Sequence, residues 1–293
     1  MQRVILFMIG IFLVGIAPVF ITALFQKRNS DFKDIKNKSV FIYLLILCNL
    51  FVFFLLNKNS DIILGTFIGS SLFRLLAVGG VNQLFYKKEK KSEGRGQYLV
   101  FCSILLLFLS ADYLLTGNIT NNILSRIDGG LLLLLFLLYL FIRIRSGLKI
   151  HFFKISYYFY FICLEVVILP GSYLLSQNIP QIGASFGFSQ YLTGLTIVSW
   201  CVNISTMIIT RGKSQEINYL ESIMEETVIT ITLLLGGVIC ILPLSVSSYM
   251  IYDFILFGVI SIVLQLIKKL DNRLAASSMA TAYIAFIIYV FIR

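Results

Sequence analysis

Apolar residues fall in long runs along this chain, and charges gather in the short gaps between them. A helix that crosses a bilayer core of about 30 Å needs about 20 apolar residues. Ten runs qualify as spans: 4–24, 40–56, 62–85, 98–116, 129–145, 155–175, 190–210, 223–244, 248–267 and 274–292. They predict an all-α polytopic membrane protein with ten transmembrane helices. The first run reads as a span rather than a signal peptide. It is longer than a usual h-region, and no small-x-small cleavage site follows it.

Composition agrees. Of 293 residues, 58% are hydrophobic and only 13% charged, with a mean hydropathy of +0.92. Soluble domains run at about 45–50% apolar and about 25% charged. No gap between spans is long enough for a soluble domain. The net charge of +10 does not point to nucleic acid, because of where the charges lie. Nineteen of the 24 Lys and Arg residues sit in the gaps after spans 1, 3, 5, 7 and 9, counting Arg143 and Arg145 at the very end of span 5. The gaps after the even spans hold only Lys58 and Arg126. By the positive-inside rule the odd gaps are cytoplasmic and both termini lie outside. The basic face then meets the anionic lipids of the cytoplasmic leaflet. The expected setting is the cell (inner) membrane, with the lipid bilayer as the first partner and no nucleic acid.

Several chemistries are disfavoured. His151 is the lone histidine, which argues against a Ser-His-Asp triad or a His-rich zinc site. The five cysteines lie in apolar runs without C-x-x-C spacing and read as small buried hydrophobes. No Walker-type loop or H-E-x-x-H is present, and no convergent nucleophile and base can be named, so the chain is not read as an enzyme. Asn118–Thr120 forms a glycosylation triplet on the outer side, relevant only in a secretory pathway.

Ten spans divide into five and five, residues 1–150 and 151–293. Two related halves of odd span number insert in opposite senses. This is the inverted-repeat plan of many secondary transporters, whose site lies near mid-membrane between the repeats. Setting Gly65 against Glu221 places Ser71 on Thr227 and Arg74 on Thr230, and the glycines that close the two segments fall one position apart.

Residues 59–73 (NSDIILGTFIGSSLF) resemble the G-N-x-x-G-S-N-x-x-N half of an α-repeat from the sodium/calcium exchangers of the calcium/cation antiporter superfamily. Residues 124–134 (LSRIDGGLLLL) with 136–140 (FLLYL) are similar to that family's fifth span, and 187–198 (GFSQYLTGLTIV) to the opening of its second repeat. Ten spans, about 300 residues and external termini also resemble its prokaryotic members. The resemblance implies alternating access, with spans 1 and 6 moving against a core of spans 2, 3, 7 and 8. It implies Na⁺ or another cation as the bound species, and no organic cofactor.

In that family each repeat carries a G-T-S-x-P-E stretch whose Glu is a mid-membrane cation ligand, and hard cations take oxygen ligands. Carried over without gaps, the Pro and Glu positions fall on Ile46 and Leu47 in the first repeat, and on Ser205 and Thr206 in the second. Neither carboxylate is kept, and both prolines are absent. Spans 2 and 7 are therefore expected to be less interrupted than the family's. The resemblance then leaves Asn49, Ser70, Ser71, Asn203, Thr206 and Glu225 or Glu226 as ion-site candidates, with the metal unspecified.

Ionisable side chains inside a span are costly and default to a functional reading. Arg74 lies deep in span 3, where the family has a small amide. Glu165, deep in span 6, is one candidate partner for it, with Glu225 and Glu226 the others. Asp112 belongs near the outer interface. Two functional readings stand. One is a secondary active cation transporter with a remodelled ion site. The other is a non-transporting membrane scaffold or partner subunit of the same fold.

The charge bias makes the orientation testable. A cysteine introduced as Glu93→Cys should resist impermeant maleimide in intact cells and react after permeabilisation. Labelling from outside would reverse the topology.

Overall fold

The computed structural model describes residues 2–28, 35–85, 95–110, 122–145, 155–210, 219–267 and 271–292. Ten helical rods run through these segments. They are α1 (2–28), α2 (Ile35–Leu56), α3 (60–85), α4 (Arg95–Ser110), α5 (Arg126–Arg145), α6 (Ile155–Ser185), α7 (190–210), α8 (219–241), α9 (Ser248–Ile267) and α10 (Asn272–Ile292). Eight are long and apolar enough to cross a membrane, and the apolar stretches of α2 and α4 are shorter, at Phe41–Leu56 and Gln97–Leu109. The chain is an integral, multi-pass membrane protein. His151, Asp112, Asn118–Thr120 and most of the gap cations lie outside the described residues.

Two features depart from the all-helical expectation. The strands β1 (Asn122–Leu124) and β2 (Leu244–Val246) pair antiparallel, Ile123 opposite Ser245. They tie the segment before α5 to the segment after α8, which places those two connections on one side of the bundle. The other departure is α6, which continues to Ser185 instead of stopping near residue 175. The polar run Ser176-Gln177-Asn178 looks like a helix exit. Its side chains are instead accommodated by the helix and by α2. Ser176 donates to the Tyr173 carbonyl (2.8 Å), Asn178 to the Leu174 carbonyl (2.7 Å) and Gln177 to Asn57 Oδ1 (3.3 Å). Pro170 and Pro180 are carried inside the helix. The true turn is at residues 186–189, where Gly187 adopts φ +75° and Ser189 Oγ caps the Leu192 amide.

Within the bundle α3 is the axis. In its most apolar window 94% of residues are buried, against 11% for α5. Helices have no hydrophobic drive to pack on one another in lipid, so close approach depends on small residues. Gly65 and Gly69 of α3 lie against the α7 backbone, and Gly194 of α7 lies against the α3 backbone. A Cβ on Gly65 would fall on the Tyr191 carbonyl oxygen, one on Gly69 on the Leu195 carbonyl, and one on Gly194 on the Ile62 carbonyl. The same device recurs around this crossing. Gly129 seats α5 on Gly236 of α8, Gly80 seats α3 on Met279 of α10, and Gly171 seats α6 on Leu13 of α1. On the other flank α4 and α9 are joined by a Ser103–Ser261 hydrogen bond of 2.9 Å.

Among the described residues, four rods contain a widened π turn: Phe12–Ile16 in α1, Phe73–Val78 in α3, Gly194–Val198 in α7 and Thr230–Leu235 in α8. Such turns cost hydrogen-bond geometry and recur at functional sites. In α3 and α8 each is followed at once by a Gly-Gly pair, Gly79-Gly80 and Gly236-Gly237. By contrast α2 runs unbroken from Ile35 to Leu56, past Ile46 and Leu47. α7 is likewise continuous through Ser205 and Thr206.

The crossing of α3 and α7 predicts a sharp asymmetry among glycines. Gly65→Ala and Gly69→Ala should each lower stability by about 2–3 kcal/mol through overpacking. Gly130→Ala, with open space around its Cβ, should stay within about 0.5 kcal/mol of the parent. Thermal-shift curves in detergent measure both. Equal effects at the three positions would contradict the crossing.

A buried ion pair among the core helices

Three of the four central rods present a polar stripe and the fourth is mostly apolar. On α3, Thr66, Ser70 and Arg74 recur at four-residue spacing and share one face. On α8, Ser222, Glu226 and Thr230 do the same, and on α7, Ser199, Asn203 and Thr206 share a face at four- and three-residue spacing. All nine are buried. The corresponding stretch of α2 offers Tyr43, Ile46, Leu47 and Leu50, with Tyr43 its one polar tip.

The centre of this arrangement is an ion pair. Arg74 Nη2 meets Glu226 Oε2, with the two side chains 1% and 2% exposed, so both charges are out of water. Glu226 Oε1 accepts from Ser222 Oγ at 3.2 Å. The guanidinium lies over the Tyr43 ring, 3.8 Å from its centroid. The Tyr43 hydroxyl in turn meets Ser70 Oγ at 3.2 Å. Arg74 sits inside the π turn of α3 and Glu226 one turn before that of α8. Arg stays protonated and cannot shed its charge to escape burial, so the carboxylate beside it is what makes the position tolerable.

The other intramembrane carboxylates have different partners. Glu165, on α6, accepts from Asn49 Nδ2 of α2 at 3.2 and 3.0 Å, so it lies away from Arg74. Glu225 pairs with Arg143 of α5 at 3.0 Å, both partly exposed. Glu225 and Glu226 are adjacent in sequence but point to opposite partners, because successive helical positions are a hundred degrees apart. Asn49 also donates to the Leu45 carbonyl at 3.0 Å. Of the ion-site candidates, Asn49 therefore faces α6, while Ser70 and Glu226 meet around Arg74.

Several buried oxygens lack a hydrogen-bond partner among the described residues: Thr66 Oγ1, Ser71 Oγ, Asn203 Oδ1 and Ser205 Oγ. Native interiors leave few such atoms, and each calls for an explanation. Asn203 spends its amide on the Ser199 carbonyl (2.7 Å), and Thr206 donates to the Asn203 carbonyl (2.9 Å). Among the described residues, no three His, Cys, Asp or Glu side chains gather to hold a metal ion.

Sequence reasoning overlooked Tyr43, Arg143 and Asp253. Asp253 is fully buried in α9 and accepts from Tyr191 of α7 at 2.7 Å. A lone carboxylate in an apolar span was the available signal. For Tyr43 there was no signal in a chain with 15 tyrosines and 26 phenylalanines.

Solved structures share the fold that carries this pair. The structure of native YfkE superposes with a TM-score of 0.68 at 18% identity, covering 99% of this chain and 92% of that one. The sodium-calcium exchanger NCX_Mj gives 0.63 at 16% identity, covering 98% and 97%. The H⁺/Ca²⁺ exchanger CAX gives 0.64 at 13% identity, covering 99% and 86%. The fold is that of the cation exchangers. Residues 49–145 also match the sodium/calcium exchanger protein family, which bears out the resemblance read from the sequence. No curated protein matches the chain.

The ion pair predicts a specific coupling. Arg74→Leu should cost about 3–5 kcal/mol, because Glu226 is left uncompensated, and adding Glu226→Gln should recover part of it. Glu165→Gln should be additive with Arg74→Leu within about 0.5 kcal/mol. A thermal-shift double-mutant cycle reads both. Zero coupling to Glu226 would remove the pair.

Proposed function

We propose that the chain is a secondary active cation transporter on the exchanger fold, with a remodelled ion site at the Arg74–Glu226 pair. The observation that carries this reading is a charged, buried pair on core helices that also carry buried, partnerless oxygens. Polar groups so placed are expensive and mark substrate or ion paths in membrane bundles. The fold neighbours are named as Na⁺/Ca²⁺ and H⁺/Ca²⁺ exchangers, which supports cations as the cargo class.

In this reading residues 1–150 and 151–293 are inverted repeats spanning the membrane ten times, with both termini outside the cell membrane. The recurrence of a π turn followed by Gly-Gly in α3 and α8 supports it, and moves the register of the repeat by one position from Gly65 against Glu221. Transport would proceed by α1 and α6 shifting against α2, α3, α7 and α8. The Asn49–Glu165 contact joins the moving α6 to the static α2, so it would form and break during the cycle. Ser70, Ser71, Asn203, Thr206 and Glu226 remain the ligand candidates, with Thr66 and Ser205 added by their partnerless oxygens.

The cargo is a monovalent cation or proton rather than Ca²⁺. Leu47 and Thr206 stand where the family has glutamates, and Ca²⁺ takes about six to eight oxygens, usually with carboxylates among them. Glu226 supplies one negative charge, already matched by Arg74. One observation favours the non-transporting scaffold instead: the pair is internally neutral and leaves no free charge to recruit a cation.

Purified protein in liposomes should therefore show saturable flux of Na⁺, K⁺ or H⁺, and no micromolar binding of radiolabelled Ca²⁺. Tight Ca²⁺ binding by the unaltered chain would refute the remodelled site. Absence of flux for all of these ions, with correctly inserted protein, would establish the scaffold.

A further inference from the structure

We propose that the seam between α2 and α6 is a binding site for a lipid-soluble organic cation of the alkylammonium class, with Glu165 as its counter-charge. The ligand enters from the bilayer. The Arg74–Glu226 pair takes no part and stays closed.

Glu165 is a mid-depth carboxylate without a cation of its own. Asn57, just past the end of α2, meets Ser176 of α6 at 3.5 Å and marks one rim of the seam. At about 1.5 Å per residue, Glu165 lies roughly 16 Å along α6 from Ser176. That is about half of a bilayer core of about 30 Å. Both of its hydrogen bonds come from Asn49 Nδ2, and among the described residues no cationic side chain pairs with it. Glu226 and Glu225 are matched by Arg74 and Arg143. The rods packed against α6 are α1, α2 and α7. Their one described cationic side chain is Arg3, at the far end of α1, beyond the contact of Gly10 with Leu175. A carboxylate inside the hydrocarbon region is expensive until a positive charge neutralises it.

The carboxylate is also open toward lipid. Glu165 is half-buried. Phe161, Ile162 and Leu169 share its face of α6 and are 37%, 56% and 47% exposed. Cys48 of α2, exposed as well, lies within electrostatic reach of it. The neighbours decide which cation fits. Asn49 Nδ2 also donates to the Leu45 carbonyl at 3.0 Å, so a flipped amide would set oxygen against oxygen, and the NH₂ is fixed toward Glu165. A hard metal ion needs several oxygen ligands, whereas this seam sets one carboxylate beside an N–H donor. An organic ammonium needs no oxygen shell. It donates to the lone pairs that Asn49 leaves unused, and its alkyl chain lies along Ile162 and Leu169. The resulting pair is neutral, and no other buried charge is uncovered by forming it.

The experiment irradiates the full chain in liposomes with a dodecylammonium that carries a diazirine on its tail, and maps the adducts by peptide mass spectrometry. The expected result is saturable labelling concentrated at residues 161–169 of α6 and 48–52 of α2. Excess dodecylammonium should abolish it, and dodecanol, which has the same tail without the charge, should not. Glu165→Gln keeps an acceptor for Asn49 but removes the charge, and should lower the saturable labelling about tenfold. Glu165→Asp should retain most of it. Labelling that dodecanol suppresses equally, or that is unchanged in Glu165→Gln, would overturn the site. So would labelling spread evenly over the lipid-facing helices, the result for a carboxyl that takes only a proton. If Glu165→Gln does not fold, the two competitors on the parent chain decide alone. The readout needs no flux, so its failure and that of the transport reading are seen separately.

Discussion

The backbone contact between α3 and α7 is the constraint on which the rest of the molecule depends. Two apolar rods in lipid have no hydrophobic reason to associate, so the approach of Gly65, Gly69 and Gly194 to the facing backbone must supply it through dispersion and dipole contacts. Once these rods touch, α3 is enclosed along nearly its whole length. Only then can Arg74 be carried to a place without water. A single methyl group at the crossing would push α7 outward and open a route for lipid or water toward the charge.

The pair sets one charge of each sign among the core helices. Leu47 is fully buried where the resemblance expects a carboxylate, and α2 passes it as regular helix. The negative charge stands instead on α8, and a positive one on α3. The centre is therefore neutral before any ion arrives. Its electrostatics are those of a closed salt bridge.

Much of the architecture was legible in the chain. Runs of apolar residues mark helices in a bilayer because every backbone polar group must be satisfied within the segment. Among the described residues each expected run falls on a helix, and eight of these helices are long and apolar enough to cross a membrane. The exit of α6 was misjudged because Ser176, Gln177 and Asn178 look solvated in sequence, whereas their partners are the helix itself and Asn57. The β1–β2 ribbon was invisible, since three-residue strands carry no periodicity. At the site, Arg74 could be singled out by its cost alone. Its partner could not: Glu165, Glu225 and Glu226 differ only in the azimuth at which each leaves its helix, and that is set by packing. Tyr43 was beyond reach for the same reason.

The β1–β2 ribbon has a mechanical consequence. It fastens the residues leading into α5 to those leaving α8, and the Gly129–Gly236 contact lies directly beneath it. A clasp at one rim of a bundle leaves rods free to splay at the opposite rim, with displacement growing along their length. The Arg143–Glu225 bridge spans the same two rods at their far ends, where that lever arm is longest. α5 and α8 thus form a strut pinned at one end and latched by a partly wetted, salt-sensitive contact at the other. Ionic strength on that face would then set how stiff the strut is.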